Sequence, residues 1–278
     1  MSEDYIILHK QDPKLPKIRL FILFMWGDNR IPDGFNWSLS IDSKIKAVDV
    51  LFNEVLSQIP KCFEELEEIR KRGFGGGVEC LKLAIKYEVF LNSIYSLCEN
   101  LSRIVAYLYR ERNLPQSFNA QRNRFLKKPD IDPDFTKILA NITWWDEVHS
   151  IRSESVHYLS GFITISSATE LGYFNRPQSR RNGAPTSILI DNIEKHIRQL
   201  YNNVKEFLLE FGEHFIKNIN QDAYIALPCL RTSSGLIGIK GISLKGYLNN
   251  DAGICLTPDF DCPLKETCGA HREQVKNK

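Results

Sequence analysis

Residues 78–113 carry Leu81, Ile85, Val89, Leu91, Ile94, Leu97, Leu101, Ile104 and Leu108 at helical spacing. A run of that length is too long for a strand, and its apolar stripe must be buried against other helices, which commits the chain to a helical bundle. Upstream, Ile45, Val48, Leu51, Val55 and Ile59 follow Asp42-Ser43 with the same period; Pro60 interrupts, the pattern resumes to Lys71, and Gly73-Phe74-Gly75-Gly76-Gly77 ends it. The sequence therefore predicts two long helices joined by a glycine turn and running antiparallel, the first kinked at its proline.

The remaining segments add to that pair. A basic connector (114–133) leads to a short helix at 134–141 and another at 143–159. The period then changes. Pieces 162–166, 172–175 and 187–190 are β-prone and surround Arg176-Pro177 and Asn182-Gly183, so a hairpin inserted at about 161–190 is expected. Asp191 is placed to cap a last amphipathic helix bearing Ile193, Ile197, Leu200, Val204, Phe207, Leu208, Phe211 and Phe215 and ending near Asn220. Two further β-prone pieces, 5–8 and 18–26, make an N-terminal strand layer, while the glycine-rich stretch after Asp222 has no helical period. The expected chain is mainly α: an N-terminal β-prone segment (1–41), a helical bundle with an inserted hairpin (42–221) and a small cysteine-containing appendage (222–278).

Charge narrows little: 36 basic and 34 acidic residues leave a formal charge of +2, so a nucleic-acid surface has to come from local clustering. The 43% of hydrophobic residues excludes a disordered chain. The start Met1-Ser2-Glu3-Asp4 is acidic where a secretory signal is basic, and the best apolar run, 20–26, is too short to span a bilayer. A soluble cytoplasmic protein without membrane contact is expected. Cys62, Cys80 and Cys98 lie in helical patterns, where unpaired thiols act as small hydrophobes, and seven cysteines is an odd number, so no disulfide framework is expected.

The densest chemistry lies between Trp144 and Tyr158. On a helix His149, Ser153 and His157 stack at four-residue steps, and Arg152 follows His149 by three. Imidazole exchanges protons near neutrality, and guanidinium offers a permanent forked donor to phosphate. By spacing alone, a solvated helix face explains an Arg and a His five apart far better, since that spacing is nearly random. Residues five apart also sit about 140° apart around an unbroken helix. Arg152 must reach around, or the motif must span a helix end, or a second protomer must close the site.

An Arg-x4-His element, Arg152 to His157, set in a bundle with two long antiparallel helices before it and one helix after it, resembles the HEPN superfamily (higher eukaryotes and prokaryotes nucleotide-binding). The likeness spans residues 43–220 by architecture; Ser153 stands where the family motif often has Asn. The resemblance implies a metal-independent endoribonuclease with a composite site at a homodimer interface and no catalytic cofactor. His157 would act as base toward the ribose 2′-OH or as acid toward the leaving oxygen, and Arg152 would stabilise the phosphorane; His149 and Ser153 join these candidates by helical spacing, on the same arc.

Two basic groups flank the motif in sequence and are candidates for tracking RNA phosphates: Arg122, Arg124, Lys127 and Lys128, then Arg176, Arg180 and Arg181. Ordinary solvated loops explain them equally well. Of Trp144 and Trp145, one or both fill the core rather than stack bases. The glycines at 73–77 lack the Gly-Lys-Ser/Thr ending of a phosphate loop, and Glu88 and Glu99 are expected to be solvated.

The second chemical signal is Cys255-x6-Cys262-x5-Cys268-x2-His271 with Cys229 upstream. Structural zinc on three or four of these residues, an iron–sulfur cluster on the four cysteines, and metal-free thiols are the alternatives. Three functions stay open: an RNA-cleaving HEPN-type enzyme, a toxin or defence nuclease held by a neutralising protein partner; a catalytically silent dimeric scaffold for nucleotide or protein; and a regulator sensing zinc or redox state through its tail.

Overall fold

A computed structural model describes residues 5–7, 16–73, 75–157, 160–167, 169–175, 188–222, 224–232, 237–249, 251, 253–257, 262, 266 and 268–270, with backbone alone at 5–7, 157, 228, 230–232 and 237. The chain is mainly helical, with small antiparallel sheets. It divides into two compact units, residues 39–211 and residues 1–38 with 212–278.

In the larger unit, α2 (Gly34–Arg72, entering this unit at Leu39) passes through Pro60 without a break and is followed by α3 (Val78–Leu108). The turn between them is stitched by side chains. Glu65 Oε2 on α2 accepts from the amides of Glu79 and Cys80, 2.8 and 3.0 Å away, supplying the cap that Gly77 cannot, with its carboxylate at the positive end of the helix. Cys62 and Cys80 are joined by a disulfide with their Cα atoms 4.9 Å apart, which corrects the expectation of unpaired thiols. The glycine turn folds α3 back along α2, so two cysteines distant in sequence meet across the pair.

The buried face of α3 carries Leu83, Ala84, Tyr87, Phe90, Leu91, Ile94, Leu97, Leu101, Ile104 and Val105. Leu81, Ile85 and Val89, read above as part of the buried stripe, are 56%, 47% and 45% exposed. Residues 118–127, expected to be connector, form α4 (Phe118–Lys127), because Phe118, Gln121 and Phe125 recur on one side and pack inward. Asp132 then caps α5 (Pro133–Asn141), accepting from Phe135 N, and α6 (Trp145–His157) follows.

The inserted sheet has three antiparallel strands, β2 (Phe162–Ser167), β3 (Glu170–Asn175) and β4 (Ile188–Ile190), in that order. Register sets Phe162 opposite Phe174 and Phe174 opposite Leu189. The last long helix, α7 (Ile193–Phe215), starts one residue later than expected: Asn192 Oδ1 accepts from Lys195 N, so Asn192 is the cap instead of Asp191.

In the smaller unit, β1 (Tyr5–Ile7) pairs with β5 (Tyr224–Thr232), and β6 (Ile237–Ser243) and β7 (Ile254–Cys255) complete an antiparallel sheet of order β1-β5-β6-β7. The expected strand at 18–26 is instead the helix α1 (Lys17–Phe24) with a single 3-10 turn to Gly27. A short continuous apolar run fits either element, and burial decides here: Phe21 packs 6.0 Å from Phe215, and Phe24 packs 5.5 Å from Tyr247 of α8 (Leu244–Leu248). Gly212 is needed at the closest approach, since a Cβ there would lie 2.3 Å from Ile18 N.

Candidate functional site

The residues of the Arg152 element are held by the packing of α6 on α3. Trp145 is fully buried, donates from Nε1 to Asn119 Oδ1 at 3.2 Å, and takes the edge of Phe118 at 4.5 Å. Against it, 5.3 Å away and nearly parallel, lies the ring of Tyr95 from α3. The guanidinium carbon of Arg152 sits 4.4 Å over that same Tyr95 ring. His149 leans on both rings, 6.0 Å from Tyr95 and 5.9 Å from Trp145. Burial, then the Glu99 carboxylate, raises the Tyr95 phenol above its ordinary pKa against the pull of Arg152. The ring therefore stays neutral and electron-rich beneath the cation, an arrangement worth about 1–2 kcal/mol when partly desolvated.

This stack fixes Arg152 but does not satisfy it: its Nε is buried with no hydrogen-bond partner. Ser153 is half-buried beside it, and Glu154, which the sequence reading passed over, is 3% exposed. His157 is the last described residue of α6, and its side chain lies outside the described residues. Tyr95 had no sequence signal as a platform, because its place in the α3 repeat looks like any other helical position.

Glu88 and Glu99 are half-buried and bonded, which corrects their expected solvation. Glu88 Oε1 accepts from Gly161 N at 2.6 Å and from the Tyr173 hydroxyl at 2.8 Å, fastening the inserted sheet to α3. A Cβ at Gly161 would lie 2.3 Å from the Tyr173 ring, so only glycine fits this contact. Burial pushes the Tyr173 phenol up despite a hydrogen bond from Asn175. Glu99 Oε1 accepts from Phe118 N at the start of α4.

The basic groups are dispersed in role. Arg122 is drawn inward: Nε donates to Leu139 O at 3.2 Å, Nη1 pairs with Asp146 at 3.3 Å, and the side chain is 11% exposed. Arg124, Lys127 and Lys128 are exposed at the end of α4. Arg176, Arg180 and Arg181 lie outside the described residues.

A neighbouring face of α6 opens on a hollow of about 200 Å³ lined by Thr143, Trp144, Glu147, His196, Gln199 and Asn203. Trp144, the half-buried member of the tryptophan pair, also lines an adjoining hollow of about 340 Å³. His196 Nε2 lies 3.3 Å from Glu147 Oε1 but is not aligned for a hydrogen bond. Burial lowers the His196 pKa, and Glu147 partly opposes that. Neither hollow includes His149 or Arg152.

Cys229, Cys255, Cys262 and Cys268 are half-buried and unpaired in the smaller unit, whereas His271 lies outside the described residues. Among the described residues no three His, Cys, Asp or Glu side chains are closed into a metal-binding group. Cys98 is fully buried in α3; burial and then Glu99 push its thiol far up, so it is inert. No described helix is long and apolar enough to cross a membrane. No protein-family model matches the chain, and no curated protein or solved structure is detectably similar to it.

Proposed function

We propose that the protein is a metal-independent endoribonuclease of HEPN type whose site is completed by a second copy of the chain. The observation that carries this reading is the Trp145–Tyr95–Arg152 stack, which presents a guanidinium one helical turn from His149 and five residues before His157. A forked cation held in advance costs no reorganisation when charge builds on a phosphorane. In-line attack by the 2′-OH needs a base for the nucleophile and an acid for the leaving oxygen; His157 takes one of these roles and the partner's copy the other.

Support for a second copy comes from uncovered apolar surface around the end of α6. Val156, next to His157, is exposed; so are Leu81, Ile85 and Val89 along α3 and Phe162 and Leu189 on the sheet. The Gly161–Glu88 hydrogen bond brings the start of β2 to the same stretch of α3. Such a face, bordering a site with too few convergent groups of its own, suits a symmetric dimer. RNA would follow the exposed cations at the end of α4, with Arg122 left to its structural role.

The test is cleavage of mixed RNA in EDTA, with metal content measured in the same sample. Cleavage should persist, leave 2′,3′-cyclic phosphate ends and fail on 2′-O-methyl RNA, and Arg152→Ala and His157→Ala should each lower it by roughly a hundredfold or more. Undiminished cleavage by either variant overturns the mechanism. RNA binding without cleavage by the wild-type dimer would favour the silent scaffold, a reading to which Ser153 in the motif also leans.

A further inference from the structure

The smaller unit gathers four thiols from separate pieces of chain. Cys229 is the extra residue of a bulge in β5, between the pairs Pro228↔Ile239 and Leu230↔Gly238. Bulges bend a strand and re-aim a side chain, and they recur next to functional sites. Across β6, Lys240 faces Leu227 on one side and Cys255 on the other, so β7 carries Cys255 in the same stretch of sheet as the bulge, one strand removed. The exit of β7 is tied there as well. Leu256 N donates to Ile239 O at 2.9 Å, and Thr257 Oγ1 accepts from Ile239 N at 3.1 Å, opposite Pro228. The chain then supplies Cys262 and Cys268, both half-buried.

The thiols sense one another. Burial raises the Cys229 pKa, Cys262, Cys268 and Cys255 raise it further, and Lys240 works in the opposite direction. None of the four is in a disulfide. Four half-buried thiols within electrostatic reach of one another are a donor set that zinc takes as thiolates.

We propose that Cys229, Cys255, Cys262 and Cys268 bind one zinc ion as a structural tetrathiolate site. Zinc has no geometric preference beyond tetrahedral, takes Zn–S distances of about 2.3 Å, and accepts ligands from a bulge, a strand and a following segment. Closing the four sulfurs onto the ion draws Cys262 and Cys268, which already act on Cys229, toward the bulge and the neighbouring Cys255 strand. Binding releases the thiol protons, up to four per ion, and leaves a net charge of about −2 on the centre. The Lys240 ammonium, already acting on Cys229, offsets part of that charge. The closed set of four thiolates leaves no open position, so the ion serves the fold and not the chemistry at Arg152.

This inference does not rest on the ribonuclease reading, and its readout is metal. Full-length protein purified in reductant without chelator should contain one zinc per chain, and cobalt exchanged into it should give intense thiolate-to-metal absorption with the bands of a tetrahedral ion. Cys262→Ser should weaken zinc binding by more than the roughly 10–100-fold cost of losing an outer-shell partner, while Cys98→Ala and His271→Ala leave one zinc per chain. Protein free of zinc that also gives no thiolate bands with cobalt overturns the proposal. So does iron accompanied by acid-labile sulfide, or loss of zinc in His271→Ala. If Cys262→Ser does not fold, the cobalt spectrum of the unaltered chain decides.

Discussion

The α3–α6 layer and the β5–β7 sheet both hold reactive side chains, but by different physics. In the helical layer a guanidinium rests on an aromatic platform whose lower ring, Trp145, is fully buried, so packing supplies the rigidity beneath the cation. In the smaller unit the thiols come from a bulge, a two-residue strand and the chain beyond it, with Ile225, Leu227 and Ile242 buried on β5 and β6. The contrast teaches that a side chain can be positioned by the rings packed beneath it, as Arg152 is, or by strand register and a bulge, as Cys255 and Cys229 are.

That contrast can be broken most forcefully at the uncovered apolar face. Ile85→Glu adds a charge at an exposed position, so the folded monomer should lose less than about 0.5 kcal/mol, whereas a dimer built on this face should dissociate and cleavage should fall by roughly a hundredfold, as for loss of an acid–base partner. Light scattering alongside the RNA assay checks both; an intact dimer with full activity would mean that assembly uses another surface. Next in size is the platform. Trp145→Ala should cost about 3–5 kcal/mol by denaturant unfolding, the scale for truncating a buried aromatic, and should lower cleavage even where the variant is still folded, because Arg152 loses the ring beneath its own platform. A cost below about 1 kcal/mol would deny that packing holds this site.

The smallest effect concerns His196, whose burial holds its pKa below the ordinary 6.5, with Glu147 opposing and Tyr87 packed 5.9 Å away. A base with a lowered folded pKa binds fewer protons folded than unfolded. Its contribution is therefore complete above the unfolded pKa and is lost as pH falls through 6.5 toward the folded value. Denaturant midpoints from about pH 8 down to about pH 5 should decline more steeply for the wild type than for His196→Gln. Parallel declines would mean that the imidazole is not held neutral.

Sequence periodicity located the long helices, the glycine turn and the strands around 162–190, since each is set by which side of a local repeat faces apolar surroundings. The same signal failed where the repeat is short or the partner distant. Lys17–Phe24 reads as strand or helix until Phe215 and Tyr247 bury it, and Phe118–Lys127 has two buried aromatics in ten residues, too few to announce a helix. The exposed row Leu81, Ile85 and Val89 was legible as apolar but not as uncovered.

For the candidate site, the residue types on α6 and the crowding of cysteines after Asp222 were written in the chain, because chemistry belongs to side chains and spacing. What holds them was not. The Tyr95 ring under Arg152, the Glu88 carboxylate that takes Gly161 N from 73 residues away, the Cys62–Cys80 bond and the pairing of β1 with β5 each join residues with no shared local period. Such contacts are decided when helices and strands pack, since burial and hydrogen bonding reward whichever distant groups meet. The sequence by itself determined which elements could form and which groups could react; tertiary structure decided which of those groups are held, paired or left open.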